Sequence, residues 1–308
     1  MFGWPRLRSR QALSVTEARR GASMTIRRIV QLVRSQPVTE GAGVTVRRTI
    51  GMPQLRHLDP FLMLDHFGSE DPDEYIAGFP DHPHRGFITF TYMLDGHMLH
   101  QDSMGNRGDL QSGGAQWMKA ASGVIHSELP QQSAGLLRGF QLWINLPGAE
   151  KMSEPAYQEF AAEAFPTVEG PGLGVKVLIG EYRGVRGPIR DPHTDLTYLD
   201  VTLNAGATFE HPIAAPYRSF AYVFEGDLAV GANRVGTHDL LVLDEGDRVQ
   251  VEAGDAAARF ILVAGRPIGE PIVQSGPFVM STEAELRQAF EDYRAGRLVR
   301  TRAQVVAG

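Results

Sequence analysis

The chain has 308 residues, 43% of them hydrophobic and 21% charged, with a formal net charge of −6. That is enough core-forming material for one large domain or for two of roughly 100 to 150 residues. The acidic balance lacks the basic footprint needed to neutralise phosphates and argues against direct nucleic-acid binding. A chain with no cysteine cannot form disulfides, thiolate zinc sites or iron–sulfur clusters. No apolar run approaches the ~20 residues of a membrane-spanning helix, and the simplest expectation is a cytoplasmic protein.

The N-terminal stretch 1–24 is basic, with Arg6, Arg8, Arg10, Arg19 and Arg20 against Glu17. It lacks the apolar core of a secretory signal and reads as a disordered tail, or as an extension ahead of a start at Met24. From Val44 onward, short β-branched and aromatic runs alternate with Gly, Asp and Asn. Phe87–Leu94, then Asp95-Gly96, then His97–Leu99 has the form of a β-hairpin. Repeated units of this kind with little helix predict an all-β sandwich or barrel. Tyr92-Met93-Leu94-Asp95-Gly96 recurs as Tyr222-Val223-Phe224-Glu225-Gly226, and His82-Pro83 as His211-Pro212; two copies of one β-domain are expected. The Gly/Pro-rich stretch 166–187 puts the boundary between about 150 and 190, giving domains at 25–165 and 185–308. Near the end, Thr282 and Glu285 form a capping-box pattern, Leu286, Phe290 and Tyr293 fall on one stripe, and Gly296 stands where the helix should stop.

The chemistry concentrates in the first copy. His82 and His84 form one i, i+2 pair, and His126 and Glu128 another. Alternate residues of a strand point to one face, so two adjacent strands could aim all four side chains into one space. Three imidazoles and one carboxylate suit a divalent first-row ion such as Fe(II), Mn, Ni, Cu or Zn. In the second copy Ile213 follows His211 at the pair position and no His-x-Glu follows, so only the first copy can hold this ion. For the remaining candidates the structural readings are favoured: His97 and His100 as exposed hairpin residues or hydrogen-bond partners of a ligand, Arg85 in an ion pair, Trp117 and Trp143 as barrel core, and Asp244–Asp247 as a solvated turn. Asp65 and His66 could line the mouth of the cavity or cap a strand end.

Longer strings accompany these ligands: Leu58-Asp59-Pro60-Phe61-Leu62, Asp81-His82-Pro83-His84-Arg85-Gly86-Phe87, Gln116-Trp117-Met118, Gly123-x-x-His126-x-Glu128, Gln141-Leu142-Trp143-x-Asn145-Leu146 and Gly276-Pro277-Phe278-Val279-Met280. In this order they resemble the pirin family of the cupin superfamily over residues 44–290. The resemblance implies a bicupin: two stacked antiparallel jelly-roll barrels with a short C-terminal helix. It also implies one iron-type ion in the N-terminal barrel, held by His82, His84, His126 and Glu128. Family members often carry Glu where this chain has Ile88, a difference that would alter the polarity around the ligands. The implied activity is quercetin 2,3-dioxygenase-type cleavage of a flavonol or similar enolisable aromatic by O2, with Glu128 as proton acceptor. The implied alternative is a metal-dependent regulator that docks on a transcription factor or metabolic enzyme.

Overall fold

The computed structural model describes residues 24–300, so the basic extension expected over 1–24 lies, Met24 apart, outside the described residues. Two halves repeat one plan. In the first, a seven-stranded sheet runs in the order Ala156–Phe160, Ala115–Lys119, Phe87–Asp95, Leu137–Asn145, Phe61–Ser69, Val44–Arg48, Gln36–Glu40. It faces a four-stranded sheet of Phe79–His84, Val124–Pro130, His97–Asp102 and Arg107–Gln111. The second half repeats seven and four, with Arg218–Glu225 taking the place of Phe87–Asp95, and Thr208–Pro212 that of Phe79–His84. The expected all-β bicupin is what the chain forms.

The alternation along equivalent strands explains how the barrels stack and why they differ inside. Phe90 and Tyr92 point away from the first barrel's interior and meet Tyr198, Phe220 and Tyr222 in one core shared by both seven-stranded sheets. Phe90 lies 4.7 Å from Tyr198, and Phe61 lies 5.1 Å edge-on to Phe220, between ring centroids. The opposite face of Arg218–Glu225 puts Ala221 and Val223 into an apolar core with Leu199, Phe260 and Leu262. The same face of Phe87–Asp95 instead carries the buried Thr89 and Thr91. Along this strand one barrel is therefore filled with hydrocarbon, while the other sets buried polar side chains beside an apolar cluster around Met93, and each of those polar groups needs a partner.

Asp95-Gly96 is not a hairpin turn. Phe87–Asp95 has its edges taken by Ala115–Lys119 and Leu137–Asn145, and His97–Asp102 belongs to the opposite sheet. The pair is a corner at which the chain changes sheets, with Gly96 at φ +96°, where a side chain would be strained. Glu225-Gly226 makes the same corner in the second half.

Both ends of the described residues cross over. Ile29–Arg34, counted by sequence with the first domain, is hydrogen-bonded to Asp239–Leu243 of the second. The fully buried Arg27 beside it donates to the carbonyls of Tyr217, Asp244 and Ala214. The Asp244–Asp247 turn is the clasp for this strand rather than a freely solvated loop: Asp244 accepts from the backbone of Arg28 at 2.6 Å and Asp247 from that of Thr25 at 2.9 Å. At the other end, the helix Glu283–Arg294 begins with the expected capping box and has Gly296 just past its end at φ +68°. It follows the second barrel in sequence but packs with Phe278, Met280 and Ile125, on the first. Leu286 is buried and Phe290 packs edge-on to Phe278 as the stripe predicts, whereas Tyr293 is exposed and Ala289 and Asp292 complete the buried face. No helix among the described residues is long and apolar enough to cross a membrane.

His66 is not a strand-end cap. It sits inside the shared core, stacked on Phe140 at 4.7 Å and hydrogen-bonded through Nδ1 to the Tyr222 hydroxyl at 3.2 Å. Burial drags its pKa down to about 3. The folded state thus takes up its proton far later than the unfolded chain, so its contribution to stability is full above pH 6.5 and drains away as pH falls towards 3. Unfolding by urea at pH 7 and at pH 4.5 should show a loss of stability on acidification that is smaller in His66→Phe; identical slopes would exclude this histidine as a source.

Candidate metal centre

Phe79–His84 and Val124–Pro130 run antiparallel, with His126 directly opposite His82 and Val124 opposite His84; the register shifts between His126 and Glu128. The pairing places His82, His84 and His126 around one point. Their ring centroids lie 4.3 to 4.9 Å apart, and one nitrogen from each falls within 4.8 Å of the others. Glu128 belongs to an overlapping group with His126 and His100. His84, His126, Glu128 and His100 are buried, and His82 is half-buried.

The chemistry of these atoms fits a divalent cation. Burial, reinforced by the neighbouring imidazoles, drives His84 and His126 well below the ordinary histidine range, so both are neutral at pH 7 and keep a lone pair. His82 donates from Nδ1 to the Pro80 carbonyl at 2.8 Å, which leaves its Nε2 as the basic atom. His126 Nε2 and His84 Nδ1 are buried without a hydrogen-bond partner, an arrangement that is costly unless something else satisfies it. Glu128 is oriented by polar side chains from the facing sheet. Its Oε1 accepts from Gln116 Nε2 at 2.5 Å and Thr91 Oγ1 at 3.0 Å, and its Oε2 from Gln141 Nε2 at 2.9 Å. Sequence reasoning gave these three no role. Their signal is polar residues on the interior face of strands whose other face is aromatic.

The group opens into a cavity of about 680 Å3, within the range of small-molecule sites. Met63, Phe67, Phe79 and Trp143 supply apolar wall. Trp143 is therefore cavity wall rather than core, 5.1 Å edge-on to the His84 ring; Trp117 is core as expected. Asp65 lines the cavity, held by Arg48 at 2.7 and 2.6 Å, and Arg48 also meets Glu40 at 2.8 Å. Gln274, Gly276 and Pro277, from the far end of the chain, close one side. Behind them Lys151, buried, donates to the carbonyls of Gly86 and Val279 and to Asn145 Oδ1. Arg85 is paired as expected, with Asp292 of the helix at 2.8 Å. His97 is half-buried, beside Asp109 at 2.5 Å, and His100 is wholly buried and meets His126 at 3.4 Å, the hydrogen-bond role expected of it. In the second barrel His211 faces Val249 where His82 faces His126.

The comparisons with known proteins agree with this architecture. The Pirin family matches residues 43–144, and the Pirin C-terminal cupin domain matches residues 198–299. A pirin-like protein of Caulobacter vibrioides is 46% identical over 276 residues, covering 89% of this chain and 100% of that protein. Human pirin is 42% identical over 274 residues, covering 87% of this chain and 92% of its own length. Among solved structures, a quercetin 2,3-dioxygenase from Acinetobacter baumannii superposes with a TM-score of 0.83 at 29% identity, covering 90% of this chain and 100% of that one. With two stacked barrels and these matches over nearly its whole described length, the chain belongs to the pirin family of cupins.

Proposed function

We propose that this chain is a metal-dependent dioxygenase of the quercetin 2,3-dioxygenase type, with His82, His84, His126 and Glu128 holding one divalent ion, Fe(II) first among the candidates. The observation that carries the reading is the cluster of His82, His84 and His126, with Glu128 grouped with His126, beside an aromatic-walled cavity of about 680 Å3. The likeness to the Acinetobacter baumannii enzyme supports the reaction class. The ion would supply Lewis acidity, lowering the pKa of an enol hydroxyl brought to it, and a route for electrons to O2.

The chain's own residues do the rest. Phe67, Phe79 and Trp143 offer flat apolar surface to a planar aromatic substrate and exclude water from it. A Glu128 oxygen accepts the enol proton, and Gln116, Gln141 and Thr91 hold the carboxylate in place while it does so. Arg48 and Glu40, at the outer wall, are placed to meet polar substituents on the ring system.

Protein loaded anaerobically with Fe(II) and then given quercetin and air should consume oxygen and release carbon monoxide. Glu128→Gln should lower the rate roughly 10²–10⁴-fold, the usual contribution of a general base. Full metal occupancy without turnover would remove the dioxygenase reading and favour the regulatory docking role.

A further inference from the structure

The strand His97–Asp102 lies on the other side of Val124–Pro130, with Asp102 opposite His126 and His100 opposite Glu128. A second i, i+2 pair, His100 and Asp102, thus faces the first. Asp102 has a wholly buried side chain. Its Oδ1 accepts from the backbone of Met104 and Asn106 at 2.8 and 3.0 Å, and its Oδ2 from Asn106 Nδ2 at 2.9 Å and His100 Nε2 at 3.2 Å. The carboxylate can only accept from His100, so the proton of that imidazole sits on Nε2. In the neutral imidazole its Nδ1 is then an acceptor, and it lies 3.4 Å from His126 Nδ1. His126 must donate from Nδ1, which leaves the lone pair on Nε2, the buried atom that has no partner and faces His82 and His84. The Tyr157 ring, stacked on His100 at 4.8 Å and 24°, fixes the plane of the relay.

We infer that Asp102 and His100 are positioning residues that set the tautomer and orientation of His126 for metal binding. The inference rests on the ligand set proposed above. The second barrel argues that the fold itself does not require them. There Val249 and Val251 occupy the strand that pairs with Thr208–Pro212, and Val230, on the neighbouring strand, packs in the same apolar core. Counted from the Gly96 and Gly226 corners, Val230 and Ala232 stand where His100 and Asp102 do, while Val249 and Val251 stand where His126 and Glu128 do, and the barrel closes as well.

The test uses Co(II), whose visible spectrum reports coordination, titrated against a chromophoric chelator in the full-length protein. His100→Phe keeps the ring stacked on Tyr157 but cannot accept from His126, and Asp102→Asn leaves His100 free to take the other tautomer. Each should weaken Co(II) binding roughly 10–100-fold, the usual effect of removing a ligand's outer partner, with the spectrum of the saturated protein unchanged. His100→Asn, which restores an acceptor near the position of Nδ1, should recover part of the affinity and also serves if His100→Phe does not fold. Unchanged affinity in the folded variants would overturn the inference. So would an altered spectrum of the saturated protein in His100→Phe, which would make His100 itself a ligand. Failure of the unsubstituted protein to bind Co(II) would instead sink the ligand set on which the inference rests.

Discussion

His126→Ala and Glu128→Ala, each purified and loaded anaerobically with Fe(II), are expected to retain only background iron by elemental analysis. Each substitution removes one of four proposed donors, which the two strands place through a fixed register. His211→Ala is the control. Its imidazole is buried and, through desolvation, titrates near 4, but it faces Val249, so metal content should not change. A full equivalent of iron in both His126→Ala and Glu128→Ala would remove the ligand assignment; loss of iron in His211→Ala would show that the second barrel also binds metal.

Asp292→Ala should destabilise the fold by about 3 kcal/mol, the lower end of the range for breaking a buried ion pair, because the Asp292 side chain keeps 12% of its surface exposed. The cost falls on Arg85, whose side chain is 1% exposed. Deprived of its carboxylate, the guanidinium keeps only the carbonyls of Ser122 and Leu298, and neither neutralises its charge. Arg85 adjoins His84 and pairs through its backbone with Val279, so the ion pair joins the C-terminal helix to the turn that carries a proposed ligand. Urea unfolding should show a lower midpoint with an unchanged slope. Asp292→Asn, which keeps two of the polar atoms, should fall between. An unchanged midpoint in Asp292→Ala would mean that the helix is not anchored through this pair.

How much of this was legible beforehand follows the range of the interactions involved. The two ligand pairs, the repeated Tyr-x-x-x-Gly strings, the capping box at Thr282 and the pirin-family strings are all local patterns. Strand alternation, turn chemistry and helix capping act over two to five residues, so those features could be read directly from the chain. The sequence alone thereby determined an all-β bicupin with one chemically equipped barrel. Tertiary structure decided the rest. It turned Asp95-Gly96 into a corner between sheets, because both edges of Phe87–Asp95 were already taken. It sent Ile29–Arg34 to the second barrel and the C-terminal helix to the first. It also brought His100 and Asp102 beside His126, and Gln116, Gln141 and Thr91 around Glu128. These outcomes depend on which strands become neighbours across long stretches of chain. That choice is made by burial of whole faces, to which no short pattern of residues responds.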